Sequence, residues 1–343
     1  MLKREHKLVI HFFEQIDKLN GKMGHGVLRY SQNQVACVVD FNYGGTTTRD
    51  LLNFGPDVPV VASVDEALAH GPQVLVLGMA PSGGRLPEAM VREVDHAVES
   101  GLSVVNGLHE FLAGRYPDVS SPQWIWDIRR EPDGLGIAWG RASELTNRRE
   151  LLVGTDMAIG KMTTGLEIQK SALQRNIRAE FLATGQIGIV ISGRGIPLDA
   201  IRVDYACGAV EKMVLDAADA ELTIVEGQGS LLHPGSTSTL PLIRGACPTH
   251  LILCHRAGMT ELDTVGIAVK VPPLNEVIEL YESLASACGT YARPQTVAIA
   301  LNTAHLDDSE AAAILSETAD ATGRLVVDPV RQSAASLVDA LMA

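Results

Sequence analysis

Cysteine, aromatic side chains and positive charge are all scarce in this chain of 343 residues, and each shortage closes off a class of function. The five cysteines, Cys37, Cys207, Cys247, Cys254 and Cys288, are odd in number and scattered. They lack both the close pairing of a zinc site and the even framework of a disulfide-stapled domain. They read as small buried hydrophobes in a reducing cytoplasm. Lys and Arg total 28 against 41 Asp and Glu, a formal net charge of −13, so there is no basic stripe to neutralise a nucleic-acid backbone. Anionic small ligands stay open, because local groups hold them. Long apolar runs are missing as well. Residues 8–19 are apolar on one face, but His11, Glu14, Asp17 and Lys18 make the stretch too short and too charged for a membrane span or a signal peptide. An amphipathic helix packed on the body or on a second subunit is expected there. No Ser-His-Asp spacing and no His/Cys/Asp cluster with metal-ligand spacing is found, and no GxGxxG follows the first strand.

What the chain does contain is aliphatic: 46% of it is hydrophobic and only 4% aromatic, which fits an α/β protein with ample core. Residues 1–25 read as an N-terminal helix or extension. From 26 to 130, strand signals at 35–40, 58–62, 73–78, 103–105 and 124–126 alternate with helix signals, the clearest at 87–100. That alternation predicts a Rossmann-like parallel-sheet domain. Its richest loop is GMAPSGGRLP, residues 78–87, at the carboxyl end of a strand. Residues 131–150, with Pro132, Gly134 and Gly136, read as a linker. A second α/β domain is expected over 151–343, with strands near 151–154, 179–183, 222–225, 250–254, 297–301 and 325–327. Helices are predicted at 161–175, 204–219, 273–287 and 308–322.

The segment LLVGTDMAIGKMTT, residues 151–164, reads as a phosphate-binding loop. An apolar strand runs into Gly154, Thr155 and Asp156, then Gly160-Lys161 opens a helix in which Met162, Leu166, Leu173 and Ile177 recur at helical spacing. In such a loop, backbone N–H groups and the helix N-terminus face an anionic phosphate while the lysine reaches over it. A standard loop then places Ser or Thr directly after the lysine to hold Mg²⁺. Here that position is Met162, with Thr163 and Thr164 following. Downstream, LTIVEGQGSLLHP ends a strand in Glu226, the place where phosphate-loop proteins put a metal ligand or base.

Other unusual polar residues fall in loops at strand ends. Gln186 follows a strand of this domain, and Arg194 is flanked by Gly193 and Gly195, a setting that suits a planar fork for a carboxylate or phosphate. Asp199, which follows a proline, reads as a helix cap. Gln228, Gly229, Ser230 and His233 share the loop after Glu226, and His255-Arg256 close the strand that begins near 250.

Taken in order, GTDMAIGKMTT, ATGQIGIVISGRGIPLDAI, VEGQGSLLHP and LILCHRAG resemble a family long filed as a domain of unknown function. Some of its members are D-glutamate N-acetyltransferases that use acetyl-coenzyme A. GMAPSGGRLPE and VVNGLHEFL extend the resemblance into the first domain. Relatives often carry Cys where this chain has Met157, and residues before about 25 match no pattern. The resemblance implies a Rossmann-like domain followed by a P-loop domain of the dethiobiotin synthetase-like kind. It also implies an acetyl-coenzyme A-dependent N-acetyltransferase acting on a small amino acid, D-glutamate first; a cytoplasmic homo-oligomer is expected, and the charge and short apolar run above argue against nucleic-acid and membrane partners.

On this reading Gly154, Thr155, Asp156, Gly160, Lys161, Met162, Thr163 and Thr164 form the coenzyme-binding loop, with no metal required. Glu226 or His233 serves as base, and Gln228 or the Gly229 and Ser230 N–H groups lie near the oxyanion. Gln186, Arg194, Ser230, His255 and Arg256 bind the amino acid. The loop by itself also suits a Mg²⁺-ATP-dependent ligase or kinase of the dethiobiotin synthetase type, Thr163 standing in for the missing hydroxyl by a one-residue shift. Arg194→Lys is expected to raise KM for a dicarboxylic substrate strongly while leaving acyl-donor binding nearly unchanged, because lysine cannot reproduce the paired geometry of a guanidinium. Unaltered steady-state kinetics in this variant would show Arg194 to be a bystander.

Overall fold

The computed structural model describes residues 2–79, 86–264 and 266–343, without the side chain of Leu19. The chain folds into two compact units: one up to Glu131 plus Gln186–Ala200, the other Pro132–Gly185 plus Ile201–Ala343. Of the glycine-rich loop at 78–87, residues 80–85 lie outside the described residues.

The first unit is built from β1 (Leu8–His11), α1 (Lys22–Tyr30), β2 (Val35–Val39), α2 (Thr48–Leu51), β3 (Val60–Val61), α3 (Val64–Leu68), β4 (Val74–Leu77), α4 (Glu88–Glu99), β5 (Ser103–Asn106) and β6 (Ile125–Asp127). The strands form one parallel sheet in the order β3-β2-β1-β4-β5-β6, with Ile10 paired to Val38 on one side and Val76 on the other. Met90, Val94 and Ala97 of α4 are fully buried against Leu75, Leu77 and Val104, each large apolar side chain contributing roughly 1.5–3 kcal/mol.

The helix expected over 8–19 is not formed. Leu8, Val9 and Ile10 are a strand with no exposure, in the middle of the sheet. A parallel strand covered on both faces reads as a short continuous apolar run, which periodicity cannot distinguish from a buried helix. Residues 8–11, expected within an N-terminal helix or extension, are therefore the central strand of the first sheet. The stretch expected as a linker belongs from Pro132 onward to the second unit, whose first strand already begins at Arg148.

That second unit continues with β7 (Arg148–Gly154), α5 (Lys161–Gln174) and β8 (Ala179–Leu182), after which α6 (Gln186–Ser192) packs against α1 within the first unit. It resumes with α7 (Val203–Asp216), β9 (Leu222–Val225), α8 (Thr239–Ala246), β10 (His250–Arg256), α9 (Leu274–Ser286), β11 (Gln295–Asn302), α10 (Asp308–Thr322), β12 (Leu325–Val327) and α11 (Ala335–Met342). Its parallel sheet has the order β12-β11-β10-β7-β9-β8, which places β7 between β10 and β9 and gathers the loop after β7, Glu226 and His255 at one edge. None of the helices among the described residues is long and apolar enough to cross a membrane.

Glu150 of β7 lies opposite His250 and Ile224, is wholly buried, and has no hydrogen-bond partner for either carboxylate oxygen among the described residues. Burial drives its carboxyl well above the ordinary 4.5. The folded chain therefore keeps a proton that the unfolded chain releases, so the associated stability is complete below about pH 4.5 and declines as pH rises above it. Glu150→Met is expected to raise stability at pH 8 by about 1–3 kcal/mol, the cost of an unsatisfied buried polar group. The gain should be smallest near pH 4.5 and grow as pH rises above it, because folding must then also keep a proton on Glu150, and a pH series of thermal melts reads it directly.

Candidate functional site

The second unit carries its open polar surface where β7 meets α5. Gly160, at φ +114°, precedes the first turn of α5, and no side chain caps that turn. Ala158 is also left-handed, at φ +53°. The backbone N–H groups of Ala158 through Thr163 donate no hydrogen bond to any described residue. By contrast, α10 begins in a capping box, with Asp307 accepting from the Glu310 N–H at 2.9 Å and Glu310 accepting from the Asp307 N–H at 3.0 Å. A row of free N–H groups at a positive helix end is an anion-binding concavity. Lys161 is 6% exposed, and its Nζ donates to the Asp156 carbonyl at 2.7 Å. Burial pulls its ammonium below the ordinary lysine range, with Cys254, Asp156 and Glu226 opposing that shift.

The loop is held from every side by bonds to its backbone. The buried Tyr281 hydroxyl donates to Gly154 O at 2.7 Å and accepts the Leu231 N–H at 3.0 Å. Ser230 Oγ donates to Thr155 O at 2.9 Å, and Asn302 Nδ2 to Ile159 O at 3.2 Å. The carboxylate of Asp156 accepts N–H groups from Met157 at 2.6 Å and Asp263 at 2.8 Å. Thr155 Oγ1 lies 2.9 Å from His255 Nδ1, and burial lowers His255 to about 4, so its ring is neutral near pH 7.

Glu226 follows β9 and is 3% exposed. Its Oε2 accepts the Thr184 and Gly185 N–H groups at 2.8 and 3.0 Å, bonds that favour the charged form. Burial outweighs them together with Lys161 and Gln228, and the carboxyl rises to about 7. A Cβ on Gly185 would stand 2.6 Å from Gln228 Nε2, the movable end of that side chain. Gly227 is the constrained glycine, since a Cβ there would stand 1.8 Å from the Leu152 backbone O and 2.8 Å from Lys161 Cδ. His233 is differently placed. Its Nδ1 accepts the Gly235 N–H at 3.0 Å, and its Nε2 lies 3.3 Å from Asp263 O and 4.0 Å from Asp156 Oδ1.

Two sequence-family models match this arrangement, a P-loop domain of unknown function (DUF1611_C) over 136–338 and a Rossmann-like domain of unknown function (DUF1611_N) over 42–131. The chain belongs to the DUF1611 family. A crystal structure of a DUF1611 family protein from Anabaena variabilis is 46% identical, covering 98% of this chain and 99% of that one, with a TM-score of 0.95. Two relatives are named D-glutamate N-acetyltransferase. The one from a Pseudoalteromonas species is 33% identical over 94% of both chains. The one from Tritonibacter scottomollicae is 36% identical over 82% of this chain and 84% of its own.

Within this DUF1611 chain, Gly154, Thr155, Asp156, Gly160, Lys161, Met162 and Thr163 lie on the phosphate-loop turn, with Met162 and Thr163 half-buried. Thr164 is turned into the core, its hydroxyl 3.8 Å from the Cys254 thiol. Glu226, Gln228, Ser230, His233, His255 and Arg256 stand at strand ends of the same unit, Arg256 exposed. Gln186 and Arg194 belong to the first unit, in and just after α6. Gln186 lies beside Gly107, whose Cβ would stand 3.4 Å from its Cγ. Asp199 is ion-paired with Arg129, which also reaches Gly107 O and His109, so it does not act as a helix cap.

Sequence reasoning missed Tyr281, Asn302 and Asp263. Tyr281 sits among Val277, Ile278 and Ala285 on the buried side of α9, and its hydroxyl was the sole hint that the position does more than fill the core. Tyr281→Phe keeps the ring but leaves Gly154 O and Leu231 N–H unpaired. It is expected to lower stability by about 1–3 kcal/mol in urea titrations. It should also weaken ligand binding at the loop, whereas a Phe with no effect on either would make the two bonds incidental.

Proposed function

We propose that the chain is an acetyl-coenzyme A-dependent N-acetyltransferase acting on a small amino acid, with D-glutamate the first candidate, and that its phosphate loop holds the coenzyme's phosphates. The observation that carries this reading is the uncapped start of α5, six open N–H groups beside Lys161, in a chain whose near-full-length relatives are named D-glutamate N-acetyltransferase. A phosphate loop used for a coenzyme performs no phosphoryl transfer, so Met162 in place of a metal-holding hydroxyl is tolerated.

Acetyl transfer requires a neutral amine. The amine nitrogen attacks the thioester carbonyl carbon, the C–S bond breaks, the thiolate leaves, and the amine proton passes to a base. Glu226 suits that task better than His233. Its carboxyl, at about 7, is poised near working pH, whereas the accepting nitrogen of His233 is occupied by Gly235 N–H. Gln228 and the Gly229 and Ser230 backbone are the neighbouring donors, although Ser230 N–H is already bonded to Ser236 Oγ at 2.9 Å. Arg256 offers a guanidinium to a substrate carboxylate.

Coenzyme A is expected to bind equally well with and without EDTA. Lys161→Ala should weaken it by well over tenfold, a charged lysine–phosphate contact being worth about 2 kcal/mol. Strict dependence on Mg²⁺ together with ATP binding would favour the ligase reading instead. Glu226→Gln should preserve the fold and coenzyme affinity while cutting kcat by roughly 10²–10⁴-fold. A lowered melting temperature with near-normal kcat would make Glu226 structural.

A further inference from the structure

Resting on the acyl-donor reading, we infer that His255 is a further catalytic residue: its Nε2–H donates to the thioester carbonyl oxygen as that oxygen gains negative charge, and Thr155 positions it. The role is taken in the reaction, not in holding the amino acid. It follows from one buried hydroxyl. Thr155 has no exposure, and its Oγ1 has one partner among the described residues, His255 Nδ1 at 2.9 Å. Were Nδ1 the donor, the hydroxyl proton would be shut in the core with no acceptor. The hydroxyl therefore donates, Nδ1 accepts, and the ring proton sits on Nε2. An imidazolium would carry a proton on Nδ1 too and break the same bond. Burial and the adjacent Arg256 guanidinium act in the same sense, so the ring titrates only at about 4.

Nε2 is also within reach of a ligand. In the first unit, both ring nitrogens of His11 are sealed from solvent and unpartnered. His255 Nε2 likewise has no partner among the described residues, but it is not sealed, although the residue is only 8% exposed. Above about pH 5 such a ring is neutral, holds its proton and is too weak a base for an amine. It is a fixed dipole for an oxygen that gains charge. The strands β9 and β10 both pair with β7, so Glu226 and His255 stand at strand ends on either side of the loop bearing Thr155. Positions two strands apart lie about 10 Å from each other at Cα. The attacking nitrogen and the carbonyl oxygen are bonded to one carbon, so a base and an oxyanion donor stand roughly 6–8 Å apart, a gap that side chains from such positions fit. As the amine adds, the carbonyl π pair moves onto oxygen, Nε2–H steadies it without giving up its proton, and Glu226 takes the amine proton. The pair then returns, the C–S bond breaks and the thiolate leaves. With the Ser230 N–H already engaged by Ser236 Oγ, Nε2–H adds a donor from the opposite side of the loop.

The test uses the full chain with acetyl-coenzyme A and a panel of small amino acids led by D-glutamate, reading thiol release, coenzyme A binding by calorimetry and melting temperature. His255→Asn keeps an acceptor for the Thr155 hydroxyl but does not reach the place of Nε2. It is expected to cut kcat by roughly 10²–10³-fold, the effect of losing one oxyanion donor, with coenzyme A affinity within about threefold. The pH–rate limb set by Glu226 near 7 should not move. His255→Gln, whose amide N–H reaches the place of Nε2, should recover at least about tenfold of the loss. Thr155→Val removes the bond to Nδ1 and is expected to lower kcat at least about tenfold, whereas Thr155→Ser restores it. On the native chain, imidazole nitrogen NMR shifts should show Nδ1 bare and Nε2 protonated from about pH 5.5 to 8.

Near-normal kcat in His255→Asn, weaker coenzyme A binding with kcat preserved, or a ring proton found on Nδ1 overturns the assignment of His255 and leaves the acyl-donor reading standing. Equal kcat in the two Thr155 variants does the same. Should His255→Asn fail to fold, the Thr155 pair and the nitrogen shifts decide. If the native chain transfers no acetyl group to any amino acid of the panel, the acyl-donor reading falls and takes the assignment with it.

Discussion

The second unit is organised around a set of hydrogen bonds that its own atoms do not make. Six consecutive N–H groups leading into α5, from Ala158 to Thr163, have no acceptor among the described residues, and all but the exposed Ala158 belong to buried or half-buried residues, whose donors must be met by ligand or water. The backbone can hold that shape because Gly160 and Ala158 accept left-handed conformations, the second at some steric cost. Around the opening, Tyr281, Ser230, Asn302 and Asp156 all bond to main-chain atoms of the loop or of segments beside it. These side chains fix where the N–H groups point and leave recognition to the N–H groups themselves.

Three buried acids in this unit show how little burial alone decides. Glu150, Asp156 and Glu226 are each at most 3% exposed. Glu150 meets no donor among the described residues, and burial pushes its carboxyl well above the ordinary carboxylate range. Glu226 meets two backbone N–H groups that oppose burial, and it settles near neutrality, where a carboxyl can exchange protons. The Asp156 carboxylate also meets two N–H groups, and there they serve to tether the loop to the segment around Asp263. Position along the chain explains the difference. Glu150 lies near the start of β7, inside the sheet, whereas the other two lie just past strand ends, where backbone donors turn free.

Much of this was legible in the residues. Strand, loop and helix around Lys161 follow from an apolar run, two glycines and a helical repeat, and the helices at 161–174 and 308–322 have nearly the bounds their patterns imply. Three kinds of feature were not legible. The short apolar stretch at 8–11 carries no period, so an inner strand passed for one side of a helix. The segment 186–200 reads as loop because Gly188, Gly193 and Gly195 punctuate it, yet residues 186–192 form a helix packed on α1. Tethers such as Tyr281 to Gly154 O span 127 residues, and no local pattern encodes a pair that only the fold brings together.

The first unit sharpens the point that sheet order alone does not make a site. Its strands run β3-β2-β1-β4-β5-β6, an order whose switch point beside β1 and β4 is where open α/β sheets bind ligands. The turn after β1 is tied to the neighbouring strand by the protein's own backbone. Gly24 N–H, in the first turn of α1, donates to Gly78 O at 2.7 Å, and a Cβ on Gly24 would stand 2.5 Å from the Phe12 ring. Backbone meets backbone closely there, and Phe13 and Glu14 adopt left-handed angles without glycine. Two parallel sheets in one chain thus reach opposite outcomes at corresponding turns. In the first, a helix N–H is satisfied by a neighbouring strand; in the second, the N–H groups stay open beside a buried lysine, and chemistry becomes available there.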